Sequence, residues 1–261
     1  EFTRLDALMS VWHEASDVSR LNAAAGDRAV PVSREVLEVL ASARRISEWT
    51  NGKFDVTFGA LSGLWRFDHD QDNRIPRRQD IQARLPLIDY TTVRIDERAG
   101  TAFLARSGAR VHLGGIGKGY AVDRAAAILH QRGLHDFLIQ AGGDLYVAGR
   151  RGDRPWRLGI RDPRGPSGAS FASLDLTEGT FSTSGDYERS FIHEGRRYHH
   201  LLDPDRGEPA AGCRSVTIVA GSALLADGLS TGVFIMGPEA GMALVERLTG
   251  VEAVIVTSAN E

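Results

Sequence analysis

With 261 residues the chain can form one large domain or two small ones and can bury a sizeable core. Its 42% hydrophobic and 25% charged content is that of a globular protein, and a formal net charge of -3 argues against a general nucleic-acid binder. The one cysteine, Cys213, excludes an internal disulfide and a multi-thiolate zinc site, and no apolar run reaches the ~18 residues of a membrane helix. Because it opens on Glu1-Phe2 and not on Met, the sequence reads as a processed or trimmed form whose localisation signals are missing rather than absent.

In chain order, residues 3–22 read as a helix end, a strand or turn at residues 11–14, and a short helical turn capped by Ser16 or Asp17. Met9 and Asn22 within it pass for core filler and a turn residue. Ser33 caps a helix to about Asn51, with Val36, Leu37, Leu40, Ala43 and Ile46 near helical spacing and Gly52 as its stop. Asp55 lies between Gly52 and Gly59, beside aromatic groups, and its simplest reading is a cap for a helix around residues 61–65. Residues 68–80 form a polar surface excursion, and residues 88–95 and 101–106 a hairpin.

The stretch Val111-His-Leu-Gly-Gly-Ile-Gly-Lys-Gly-Tyr-Ala-Val-Asp-Arg124 is a strand end, a glycine-rich turn and a helix running to Gly133. Gly114, Gly115, Gly117 and Gly119 let backbone amides face a ligand, the helix start adds its positive dipole end, and Lys118 adds a full charge. An anionic group, foremost phosphate, suits that combination. It is neither of two familiar nucleotide motifs. A P-loop needs Ser or Thr after the lysine, where Gly119 stands, and a dinucleotide fingerprint needs Gly where Tyr120 stands. A packing turn is the bland alternative.

Residues 137–147 are two short strands bent at Gly142-Gly143, with Asp144 next as an acidic contact or a turn residue. Strands follow at residues 156–161 and 170–176. Residues 181–189 read as a polar turn between strand-like runs, a common place for binding groups. His199 and His200 are adjacent, so in a strand only one can point into a given site. A strand at residues 215–220 leads to a helix opened by Ser222. That helix is almost wholly apolar, yet Asp227 and Thr231 stand four apart on one face. A carboxylate in such a setting needs a cation or a strong donor, and the two oxygens suit a hard ion such as magnesium. A last helix at residues 238–249 and a last strand at residues 251–257 complete a mixed α+β pattern in one domain, 1–261.

Taken together the motifs resemble the ApbE family of FAD:protein FMN transferases over nearly the whole chain. They are Met9-Ser with Ser19-Arg-Leu-Asn22, Gly52-Lys-Phe-Asp-Val-Thr-Phe-Gly59, Leu113-Gly-Gly-Ile-Gly-Lys-Gly-Tyr-Ala-Val-Asp123, Ala141-Gly-Gly-Asp144, Thr183-Ser-Gly-Asp-Tyr-Glu188, His199-His-Leu-Leu-Asp-Pro204 and Ala226-Asp-Gly-Leu-Ser-Thr231, in family order. The resemblance implies a mixed-sheet α+β fold with a flavin nucleotide in a cleft between two subdomains. It implies transfer of FMN from FAD to a threonine or serine of a target flavoprotein, with AMP released.

By the same resemblance magnesium is held by Asp227, Thr231 and the carbonyl of Gly115, and Lys118 contacts the nucleotide. Lys53, Phe54 and Asp55 match a cofactor-binding segment, Met9 and Asn22 line the same pocket, and His112, Asp144 and His199 count among the cofactor contacts. His200, the favoured member of the histidine pair, is expected to work with Asp227 in catalysis. Two positions depart from the family pattern: His112 stands where Asp is common, and Gln140 where Asn is frequent. The competing readings are a magnesium-dependent FAD pyrophosphatase, a non-catalytic flavin-binding protein and a purely structural domain. Family members typically work outside the cytoplasmic membrane on subunits of membrane redox complexes, so an extracytoplasmic place and an N-terminal membrane anchor preceding this sequence are expected by resemblance.

Overall fold

The computed structural model describes residues 1–166 and 168–259. The helices are α1 (Phe2–Met9), α2 (Asp17–Ala23), α3 (Arg34–Trp49), α4 (Arg78–Arg84), α5 (Gly117–Gln131), α6 (Ala223–Met236) and α7 (Pro238–Val245). The first strands are β1 (Val30–Pro31), β2 (Val93–Asp96), β3 (Thr101–Leu104), β4 (Phe137–Ala141), β5 (Asp144–Ala148), β6 (Trp156–Arg161) and β7 (Ser170–Leu176). They are followed by β8 (Glu178–Gly185), β9 (Ser190–His193), β10 (Arg196–His199), β11 (Leu202–Asp203), β12 (Glu208–Pro209), β13 (Cys213–Ala220) and β14 (Glu252–Thr257).

The main sheet is antiparallel throughout, in the order β14-β13-β8-β5-β4. α6 lies on β13 and β8, with α5 beside it and α3 behind it. A helix apolar on every side must be covered on every side, and α6 is: Leu229, Val233, Phe234 and Ala226 have no exposed surface. Its N-terminus is tied down twice. Ser222 caps it through the Leu225 amide, and Asp123 of α5 accepts from Ser222 Oγ and from the amides of Ala223 and Leu224 at 2.7–2.9 Å. One continuous core runs from Leu5 and Met9 of α1 to Val251 beside β14. A smaller aromatic cluster, Trp65, Phe67, Phe191 and Tyr198, stacks beneath the β9–β10 hairpin.

Much of this follows the sequence reading. Ser33 caps α3, Gly52 takes a φ of +78° just past its end, β2 and β3 pair as a hairpin, and β6 and β7 run as read. Four readings need correction. Residues 111–113 are not a strand; the nearest pairing is a single bridge between Phe58 and Arg110. Residues 61–65 are not a helix but follow a short 3-10 turn at Gly59–Leu61. The last helix stops at Val245, short of Thr249. Finally, the residues read as a polar turn at 181–185 are the end of β8, the middle strand of the main sheet. Their hydroxyls are accommodated there because they bond to Asp144, to Thr217 of β13 and to Ser230 of α6.

Candidate functional site

A cleft of about 270 Å³ opens where the glycine turn, the β4–β5 turn, the end of β8 and one face of α6 meet the segment from Lys53 to Trp65. The glycine turn is fixed at its base by Asn22. Its Oδ1 accepts from the Val111 amide at 2.7 Å and its Nδ2 donates to the Val111 carbonyl at 2.9 Å. One residue on, the His112 amide donates to the Val56 carbonyl, and His112 Nδ1 accepts from the Gly114 amide at 3.0 Å. An Asp at that position makes the same bond as an Asx turn, so His112 keeps the shape of the turn without the charge. Burial lowers the His112 pKa, in keeping with an acceptor nitrogen. Asn22→Ala would leave both Val111 groups unpaired. We expect a loss of about 1–3 kcal/mol in urea unfolding, with weaker nucleotide binding as the turn loosens.

From this turn α5 begins, and its first residues meet α6. The Gly119 amide donates to Asp227 Oδ2 at 2.9 Å. Lys118 Nζ lies 3.1 Å from Asp144 Oδ2, 3.3 Å from Asp227 Oδ1 and 3.3 Å from the Gly114 carbonyl. Asp144 is 2% exposed and Asp227 3%, while the Lys118 side chain is 40% exposed, so two buried carboxylates share one ammonium that water still reaches. Burial raises the Asp227 pKa first and the charge of Asp144 raises it further, against the pull of Lys118. Burial alone would lower the Lys118 pKa, but the two carboxylates outweigh it and hold it above the ordinary value. Asp144 Oδ1 accepts a hydrogen bond from Ser182 Oγ at 2.5 Å, while Oδ2 faces the Lys118 ammonium. Thr231 opens onto the same cleft, and a Cβ at Gly115 would sit 3.4 Å from its hydroxyl oxygen.

The other expected residues separate into those the cleft gathers and those it does not. Phe54 and Asp55 form part of its wall. Asp55 spends its oxygens inside the protein, on Thr57 N and Oγ1 and on the Tyr90 amide. Lys53 reaches the rim, bonded at 2.8 Å to both Asp203 and Asp205. His200 lines the cleft with Nδ1 buried and unpartnered, and burial pushes its pKa down to about 3.

Three expected residues lie outside this cleft. His199 is not in the cleft: as the last residue of β10 it faces the other way, against the ring of Phe234, with Nε2 bonded to the Ala210 carbonyl. Asn22 does not line it either, because both ends of its amide are occupied by Val111. Met9 belongs to an adjoining cavity across the glycine turn, with Leu113, Gly117 and Trp12. Sequence reasoning also missed residues. Arg189, paired with Asp68 at 2.5 Å, borders both cavities, and Ser184 lies buried beside Thr231. The Thr183–Glu188 motif pointed at Ser184; nothing in the sequence paired Asp68 with a partner 121 positions away.

The described lining of the cleft carries three basic side chains (Lys53, Lys118, Arg189) against five carboxylates (Asp55, Asp68, Asp144, Glu188, Asp227). A cleft so charged suits a phosphorylated ligand accompanied by a cation, although the amides of Gly114, Gly117 and Gly119, expected to face a ligand, bond inside the protein to His112, Leu113 and Asp227. Comparison with known proteins gives the family. The ApbE family model matches residues 1–255, and the chain belongs to the ApbE family. It is 34% identical over 247 residues to the FAD:protein FMN transferase of Klebsiella pneumoniae (strain 342), covering 93% of this chain and 71% of that protein. The crystal structure of the ApbE protein of Thermotoga maritima superposes with a TM-score of 0.90 at 36% identity, over 99% of this chain and 84% of that one. The apo flavinyl transferase ApbE of Pseudomonas stutzeri gives 0.86 at 35% identity, over 98% and 79%.

Proposed function

We propose that the protein is an FAD:protein FMN transferase that moves FMN from FAD onto a threonine or serine hydroxyl of a target flavoprotein and releases AMP, with magnesium. The observation that carries this reading is the Lys118 ammonium at the start of α5, open to the cleft and set between the buried carboxylates of Asp144 and Asp227, in a chain whose relatives bear that activity in their names. The cation is supported by chemistry on the page. Asp227 is a buried carboxylate on one face of α6 with Thr231, and the Thr231 hydroxyl and the main chain at Gly115 line the same cleft, an oxygen donor set of the kind a hard ion prefers. Among the described residues no three His, Cys, Asp or Glu side chains converge on a metal-sized point. The seat therefore depends on the Thr231 hydroxyl and the Gly115 carbonyl as well as on Asp227. Magnesium held there would neutralise charge on the pyrophosphate.

The protein's own groups supply the rest. Lys118 supplies a positive charge for the phosphates, and the wall of Phe54 and Phe58 excludes water. The acceptor oxygen forms a bond to the FMN phosphorus as the bond from that phosphorus to the bridging oxygen breaks. The electron pair leaves with AMP. The hydroxyl proton goes to an Asp227 carboxylate oxygen. His200, held neutral by burial, offers its free Nδ1 as a hydrogen-bonding group to the bound nucleotide. By family resemblance the work is done outside the cytoplasmic membrane; among the described residues no helix is long and apolar enough to cross one.

The test is a balance of products. Protein, FAD and magnesium are incubated with and without an acceptor polypeptide, and AMP, free FMN and acceptor-bound FMN are separated and counted. Transfer gives AMP equal to bound FMN, only with acceptor. AMP equal to free FMN without acceptor makes the protein a pyrophosphatase, and retained FAD with no AMP makes it a flavin carrier.

A further inference from the structure

Behind Thr231 runs a short line of buried hydroxyls that the reaction as described does not use. Ser230 Oγ donates to the Asp227 main-chain carbonyl at 2.9 Å. Ser184 Oγ lies 2.8 Å from Ser230 Oγ and 3.2 Å from Thr231 Oγ1. Ser230 has no exposed surface and Ser184 is 9% exposed, so water does not substitute for these partners.

The direction of every bond in the line follows from one fact. A hydroxyl has a single proton, and a carbonyl can only accept. Ser230 spends its proton on Asp227, so the bond between Ser184 and Ser230 must use the proton of Ser184. With that proton spent, Ser184 can only accept from Thr231. The line ends there: Ser182 lies 3.4 Å from Ser230 but gives its own proton to Asp144, and Ser230 has none to return. Thr231 therefore points its proton into the protein, and the lone pairs left over face Gly115 and the cleft.

We infer that Ser184 is a positioning residue that makes Thr231 an acceptor-only oxygen toward the cleft and thereby sets the cleft's affinity for a divalent cation. The inference rests on the cation seat proposed above. Without Ser184 the Thr231 proton has lost its buried acceptor and turns toward the cleft, where it opposes a cation. Loss of an outer partner of this kind weakens metal binding roughly 10-fold to 100-fold.

The experiment titrates Mn(II) alone into the intact protein, reading free Mn(II) by its paramagnetic resonance signal, with thermal midpoints recorded for each variant. Wild type binds one Mn(II), displaced by magnesium. Ser184→Ala is expected to bind roughly 10-fold more weakly or worse at a nearly unchanged midpoint, and Ser184→Thr to recover most of the loss. Thr231→Val is expected to fall at least as far. Adding Ser184→Ala to Thr231→Val then weakens binding no further, since Ser184 acts only through that hydroxyl. Should Ser184→Ala not fold, Ser184→Cys, a weak acceptor, carries the same prediction. Wild-type affinity in Ser184→Ala, or losses that multiply in the double variant, overturns the inference. Absence of Mn(II) binding by wild type overturns the cation seat itself.

Discussion

Asp227→Asn is expected to lower FMN transfer roughly 10³-fold or more, about 4 kcal/mol of transition-state stabilisation, while leaving the fold intact. The substitution keeps the shape of the side chain and its bond from the Gly119 amide, and it removes the charge that faces Lys118. Stability should move in the opposite direction from activity. Burial and the neighbouring charge of Asp144 raise the folded-state pKa of Asp227 above its unfolded value. The stabilising contribution of this group is then fully present below the ordinary carboxylate range and is lost as pH rises through the raised pKa. Without divalent cation, the thermal midpoint of wild type should fall across that window. Asp227→Asn should lack that component of the fall. Magnesium should raise the midpoint of wild type and not that of the variant. A variant that keeps both transfer and the magnesium response would remove Asp227 from the site.

The second large effect separates two glycines of one helical turn. A Cβ at Gly119 would lie 2.2 Å from the Ala223 carbonyl oxygen and 2.7 Å from Asp227 Cβ, so α5 and α6 cannot keep their contact. Gly119→Ala should cost about 1–3 kcal/mol in urea unfolding and shift Asp227 away from the phosphates. At Gly117 the nearest atoms to an added Cβ are Leu113 Cβ at 3.8 Å and Met9 Sδ at 3.9 Å, an ordinary contact. Gly117→Ala should therefore be neutral or stabilise by up to about 1 kcal/mol, from helix propensity. Opposite signs two residues apart distinguish close helix packing from a general intolerance of the glycine turn. Equal losses at both positions would contradict the packing account.

These two sites also show how much could be read from the sequence. Asp227 and Thr231 were legible because helical spacing puts residues four apart on one face and because a carboxylate in an apolar helix demands a partner. The Gly114–Gly119 run was legible as a glycine-rich turn into a helix, although the strand end read at residues 111–113 is absent. What escaped depends on long-range pairing. Asn22 looks like a turn residue until its amide is found bracketing Val111, 89 positions on. Ser182 and Ser184 look like turn residues until β8 is placed between β13 and β5 and their hydroxyls meet Asp144 and α6. The histidine pair shows the middle case. Alternation said that one side chain faces the site, and only the fold shows that His199 packs on Phe234 while His200 faces the cleft.

The most direct measurement is the intact mass of a threonine-bearing acceptor polypeptide after incubation with the protein, FAD and magnesium. The account predicts a mass increase of FMN less one water, matched by an equal amount of AMP, abolished by chelator and by Asp227→Asn. An acceptor of unchanged mass, or an adduct that forms equally well with Asp227→Asn, would contradict it.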